Sequence, residues 1–274
     1  MINAIRSEVL KITTTRLWWV LALIMVAYVG FTAGLLAALF GALGDQLATQ
    51  PGAPQLPSDS IAPVVYSTVT AVGYVFPLIL GTLAVTSEVR YQTLTPTFLS
   101  QPRRGRVLGA KLVVLAVAGA AFGGIGLLIS VGLGAPILLA TGTDAAVGEP
   151  ETWALAGRVI IAMALWAVVG VGVGSLIQNQ VAAIVVVLAF TQFVEPILRA
   201  GTSIWDWTAV VGRFLPGAAS DALVGSSLFT AFGLAGGGAA TDPLEWWQGG
   251  LVLLGIAIVL SILGYLTAWR RDIT

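Results

Sequence analysis

Residues 17–43 read LWWVLALIMVAYVGFTAGLLAALFGAL, a run without a single charged side chain. A water-facing helix of that length carries a polar face, and this one has none, so lipid is the surrounding it fits. At about 1.5 Å per residue the run reaches roughly 40 Å, more than the ~30 Å hydrocarbon core of a bilayer. Arg6, Lys11 and Arg16 precede it as they would a signal peptide. The apolar run is nearly twice the usual h-region of about 7–15 residues, so it reads as an uncleaved first span.

Outward from that run, a window of about 19 residues finds five further apolar stretches, at 61–86, 111–140, 154–177, 181–198 and 246–268. The expected fold class is an all-α membrane protein of six transmembrane helices, forming one transmembrane domain over residues 1–274. Composition agrees: 57% of the chain is apolar and 9% charged, with a mean hydropathy of +0.95, whereas a soluble domain is roughly a quarter charged. Histidine and cysteine are both absent. That excludes disulfides, imidazole or thiolate metal sites, and His- or Cys-dependent catalysis. No catalytic residues and no metal ligands are expected.

Thirteen basic residues balance thirteen acidic ones, but the two signs are segregated. With the N-terminus inside, the inner segments hold Arg6, Lys11, Arg16, Arg90, Arg103, Arg104, Arg106, Lys111, Arg270 and Arg271 against Glu8, Glu88 and Asp272. The outer segments keep Arg158, Arg199 and Arg213 against ten carboxylates. The positive-inside rule then places both termini in the cytoplasm, which requires an even number of spans. Tryptophans mark the same boundaries, with Trp18, Trp19 and Trp269 inside and Trp153, Trp246 and Trp247 outside. The expected location is a bacterial cell (inner) membrane.

The Gln178-Asn179-Gln180 link is short enough that the fourth and fifth spans should be antiparallel neighbours. Asp242-Pro243-Leu244-Glu245 reads as a helix start with Asp242 as cap. Residues 199–245 are external yet rich in apolar runs too short to cross, and re-entrant helices before the last span are expected, with a surface cap as the alternative. Gly119-x-x-x-Gly123 and Gly170-x-x-x-Gly174 place small residues one turn apart, where helices pack closely within the chain or between chains. No Walker A motif exists; Gly109-Ala110-Lys111 lacks its spacing.

Ile2, Ile5, Val9 and Ile12 fall within about 80° of one another on a helical wheel, with Lys11 opposite. An interfacial amphipathic helix along the inner leaflet follows, either a plain anchor or a working part. Between the second and third spans, residues 88–106 mix charges with Leu94, Phe98 and Leu99 on one side of a helical turn. A cytoplasmic partner could bury that stripe, while Arg103, Arg104 and Arg106 answer headgroups or the partner's acids. Arg158 and Glu195 lie a few positions inside their spans at similar depth. They read either as separate snorkelling charges or as an ion pair gating the external mouth.

Several of these residues recur in order: Glu8-x-x-Lys11, then Arg16-Leu17-Trp18-Trp19, an E-x-R-x-x-T loop from Glu88, P-R-R-x-R-V-L-x-x-K ending at Lys111, and Phe214-Leu215-Pro216-Gly217. Taken together they resemble permeases of the type-2 ATP-binding-cassette (ABC) exporter family. The resemblance implies a membrane permease subunit that exports a hydrophobic or amphipathic substrate, a drug, peptide, lipid or glycan. It implies a separate ATP-binding ATPase subunit as partner, carrying ATP and magnesium, with no cofactor on this chain. A second copy of the permease would complete a homodimer, or a related chain a heterodimer; membrane lipids are the remaining partner, and no nucleic acid is expected. By the same resemblance Glu88, Arg90, Thr93, Leu94, Phe98 and Leu99 form or hold a cytoplasmic coupling helix, and Ile2, Ile5, Glu8, Val9, Lys11 and Ile12 belong to a connecting helix. The chain departs from the family at Gln92, where glycine is frequent, and at Pro96. An ion-coupled secondary transporter and a non-transporting scaffold are the alternatives.

Overall fold

A computed structural model describes residues 2–48, 57–93, 104–201, 206–228, 231 and 244–269. Every regular element among them is helical. A short helix α1 (Ile2–Thr14) leads into α2 (Leu17–Ala48). A broken segment follows: α3 (Ser58–Tyr66), α4 (Thr68–Ala71) and α5 (Val75–Arg90). Then come α6 (Arg104–Ala140), α7 (Pro150–Leu176), α8 (Gln180–Gly201), two short helices α9 (Asp206–Gly212) and α10 (Pro216–Val224), and α11 (Trp246–Gly264).

Five of these helices, α2, α6, α7, α8 and α11, are long and apolar enough to cross a membrane. They match five of the six expected spans to within a few residues at most ends. The second expected span, 61–86, is where helix and hydropathy part. Pro77 has no N–H to offer the Gly73 carbonyl, and Phe76 instead closes a tight turn onto it at 3.1 Å. Just upstream, the hydroxyls of Ser67, Thr68 and Thr70 donate to carbonyls three residues back, at 2.9, 2.7 and 3.0 Å, competing with a regular ladder. Hydropathy averages over such breaks because serine, threonine, glycine and proline hardly lower the window.

Helix α7 is the hub, packed against α5, α6 and α11, and it is the most buried of the five. Its small residues allow this. A Cβ at Gly170 would stand 2.1 Å from the Leu78 carbonyl oxygen of α5, and one at Gly174 2.5 Å from that of Thr82. On the other side Gly119 and Gly123 of α6 press on Met163 and Ile160 of α7. Both glycine pairs therefore serve packing within the chain. At the middle of α7, Trp166 is 2% exposed, stacks 4.5 Å from the Tyr74 ring and donates its indole N–H to Ser220 at 3.0 Å.

Two local expectations change. The last span is capped by Glu245 and not by Asp242: Glu245 and Gln248 form a reciprocal capping box, and the helix begins at Trp246. Asp242 and Pro243 lie outside the described residues. After the short turn, where Asn179 accepts from the N–H groups of Val181 and Ala182 at 3.0 and 3.1 Å, α8 leans mainly on α5 and only slightly on α7. The flanks of α7 are already taken by α5, α6 and α11. Helix α10, by contrast, is well anchored: Gly217, Ala219, Ser220, Leu223 and Val224 are buried, and it packs against α11 and α7. It ends at Gly225, whose φ of 81° is the left-handed geometry glycine tolerates.

Candidate functional site

Four charged residues from three separate parts of the chain meet at the end of the molecule that carries α1. Glu8 and Lys11 sit one turn apart on α1, so both project to the same side. Glu88 is in the last turn of α5 and Lys111 in the second turn of α6, so the pair brackets the segment joining those helices. Glu8 holds Lys11 through one carboxylate oxygen and Lys111 through the other, each at 2.6 Å. Glu88 Oε1 receives Lys11 at 2.7 Å and Lys111 at 3.0 Å, and Lys111 also donates to the Ala84 carbonyl at 3.2 Å. The result is a closed ring of alternating charge.

Burial is deep for three of the four. Lys111 is 1% exposed, Glu8 4% and Glu88 6%. Removing such groups from water is expensive, and mutual attraction repays it only when the geometry is good and charges balance. Two carboxylates and two ammonium groups do balance, although Glu88 Oε2 is buried with no hydrogen-bond partner. The remaining member, Lys11, is partly exposed. Burial raises the Glu8 carboxyl, but the adjacent Lys111 and Lys11 ammonium groups outweigh it and hold the group below the usual carboxylate value. Burial likewise lowers Lys11, and bonds to Glu8 and Glu88 outweigh that and raise it. What the ring secures is position: it fastens α1 to both helices at the roots of the 91–103 segment.

That segment leaves α5 through a tight helix stop. The Thr93 N–H reaches back to the Glu88 carbonyl at 3.0 Å and the Gln92 N–H to Val89 at 3.2 Å, with Gln92 at φ 54°. This is the Schellman arrangement, which normally takes glycine at the position Gln92 occupies. Arg90 is exposed, donates to Gln180 at the start of α8 at 3.1 Å and lies 5.8 Å over the Tyr91 ring. Leu94, Phe98, Leu99 and Arg103 lie outside the described residues; Arg104 and Arg106 open α6, with Arg106 exposed.

On α1 the face turned inward is Ala4 and Glu8, while Ile2 is 80% exposed and Val9 also exposed. Ile5 and Ile12 are half-buried. The charge ring thus sets the rotation of α1, leaving Ile2 and Val9 turned away from the protein body. Lys111 ends the P-R-R-x-R-V-L-x-x-K run, and its partners lie in Glu8-x-x-Lys11 and at Glu88, where the connection from α5 to α6 begins.

The structure does not bring Arg158 and Glu195 together. Arg158 stacks 5.0 Å over the Trp246 ring of α11, and Glu195, 2% exposed, accepts the Gly217 N–H at the start of α10. The lean of α8 toward α5 separates them. No group of three or more His, Cys, Asp or Glu placed to hold a metal occurs among the described residues. Comparison with models of known protein families and with curated proteins gives no match to this chain.

Proposed function

We propose that this chain is the membrane subunit of an ATP-driven exporter of the type-2 ABC class, working with a separate ATPase and a second permease copy in a bacterial inner membrane. One observation carries the reading: Glu8, Lys11, Glu88 and Lys111, all four within the motifs on which the resemblance rests, meet in one buried ring. In this reading both termini are cytoplasmic and the broken segment α3–α5 is the sixth crossing. The segment between Glu88 and Lys111 carries the coupling helix. When the ATPase pair closes on it, the push passes through the ring to α1, α5 and α6 together, because none of the three can shift without breaking a buried ion pair. The left-handed Gln92 supports the same assignment, since it stands where the family often has glycine.

The test is co-purification. The chain should co-purify with an ATP-binding subunit, and Leu94→Asp together with Phe98→Asp should abolish this while membrane insertion persists. Full ATP-dependent transport by that double variant would overturn the assignment of the coupling helix. The rival, an ion-coupled transporter, draws on the buried Glu195 within α8; transport that continues in vesicles without ATP would favour it.

A further inference from the structure

Some 14 residues along α5 from Glu88, about 21 Å at 1.5 Å per residue, the break before α5 opens a cavity of about 260 Å³. Its walls come from three separate parts of the chain. Thr70 and Tyr74 belong to the break, Gln192 and Glu195 to the π-helical turn of α8 at Phe190–Val194 and its exit, and Asp221 to α10. Thr191 and Arg199 complete the polar set.

The charges there do not cancel. Arg199 is paired with Asp221, which also accepts from the Ser227 hydroxyl. Glu195 spends one oxygen on the Gly217 N–H; the other, Oε2, is fully buried and has no hydrogen-bond partner. A buried carboxylate oxygen without a donor is costly. Oε2 is closed to direct contact, so an occupant offsets that cost by placing positive charge beside the carboxylate across the cavity wall. The cavity is several times the roughly 30 Å³ share of one water, far larger than a bare ion needs. Its wall also includes the apolar side chains of Ala71 and Leu228 beside Tyr74, whereas a hard inorganic cation wants a shell of six or more oxygens. An aromatic and apolar wall with two carboxylates, Glu195 and Asp221, against the single guanidinium of Arg199 suits an organic cation.

We infer that this cavity binds a small organic ammonium ion, with Glu195 as its counter-charge and the side chains of Tyr74, Ala71 and Leu228 against its organic part. That the ion is cargo rests on the exporter reading; that it binds does not. The test uses the full chain in detergent, without ATP or ATPase, titrated with benzylammonium chloride, benzyl alcohol or sodium chloride by calorimetry and tryptophan-fluorescence melting. Benzylammonium should bind saturably and raise the melting temperature, and the other two should not. Glu195→Gln keeps an acceptor for Gly217 and should weaken benzylammonium roughly 10- to 100-fold, the size of the attraction between two unit charges about 6–12 Å apart at an effective dielectric of about 20. Ala71→Phe, which fills the cavity and leaves every charge in place, should abolish binding and decides the matter if Glu195→Gln fails to fold. Equal binding of benzyl alcohol, an equal shift with sodium chloride, no saturable ammonium binding, or full binding by Ala71→Phe would each overturn the inference. Failure to couple to an ATPase, with ammonium binding intact, would overturn the exporter reading alone.

Discussion

Replacing Lys111 with methionine keeps the length of the side chain and deletes its charge from the middle of the ring. It removes contacts at 2.6 Å to Glu8 and 3.0 Å to Glu88 and the 3.2 Å bond to Ala84. Glu8 and Glu88 are then left with Lys11 alone, a net negative charge in a site where Glu88 Oε2 already lacks a donor. Removing one partner of a buried ion pair costs about 3–5 kcal/mol. The lower end applies here, because Lys11 still bonds both carboxylates and is itself one-third exposed, so water reaches that side. At about 2–4 °C per kcal/mol for a chain of this size, the melting temperature should fall by on the order of 10 °C. Tryptophan-fluorescence melting in detergent measures it. Glu8→Gln combined with Lys111→Met restores neutrality, so the double variant should lose about 1–3 kcal/mol less than the sum of the singles. A Lys111→Met protein that melts with the parent, or a double variant whose loss equals the sum, would refute the claim that the ring is one coupled unit.

Four further outcomes follow from the same geometry. Glu8 sits below its ordinary value of 4.5 when folded, so its stabilising contribution is full above that pH and is lost as pH falls through it; Lys11 sits above 10.5, so its contribution is full below that pH and is lost as pH rises through its folded value. Glu8 and Lys11 should therefore add no pH dependence to the melting temperature between these limits, whereas in Lys111→Met mild acid should raise it, since a proton then neutralises the surplus carboxylate. Gln92→Gly should stabilise the chain by roughly 0.5–1 kcal/mol by relieving a left-handed residue, read as a raised melting temperature; a loss would argue against the Schellman stop. Gly170→Ala should cost about 1–3 kcal/mol because its Cβ meets the Leu78 carbonyl at 2.1 Å, whereas Gly124→Ala, with nothing within 4 Å, should be neutral or stabilising in the same melt. In a transport assay, Arg158→Gln and Glu195→Gln should act additively; strong coupling in that cycle would show that the two side chains meet in a working state.

Which stretches are apolar enough to cross a membrane and how charge divides along the chain were legible from order alone. Both follow from transfer free energy, a property each short stretch carries with it: a run such as 17–43 is apolar whatever packs beside it, and α2, α6, α7, α8 and α11 begin and end close to where hydropathy places them. The glycine pairs were legible as packing surfaces, though not their partners. What only the tertiary structure decided is which distant residues meet. Glu8, Lys11, Glu88 and Lys111 are visible as four charges flanking apolar runs, but their ring depends on α1 folding back onto the roots of α5 and α6. The structure leaves Arg158 and Glu195 apart for the converse reason: a three-residue turn fixes where α8 starts, not which neighbour it leans on, and α7 already has its flanks filled. The break before α5 escaped hydropathy because a missing N–H at Pro77 and three back-bonding hydroxyls change backbone geometry without changing solubility in lipid. Transfer from water is a sum over single residues and survives in the sequence; pairing is a property of the packed chain.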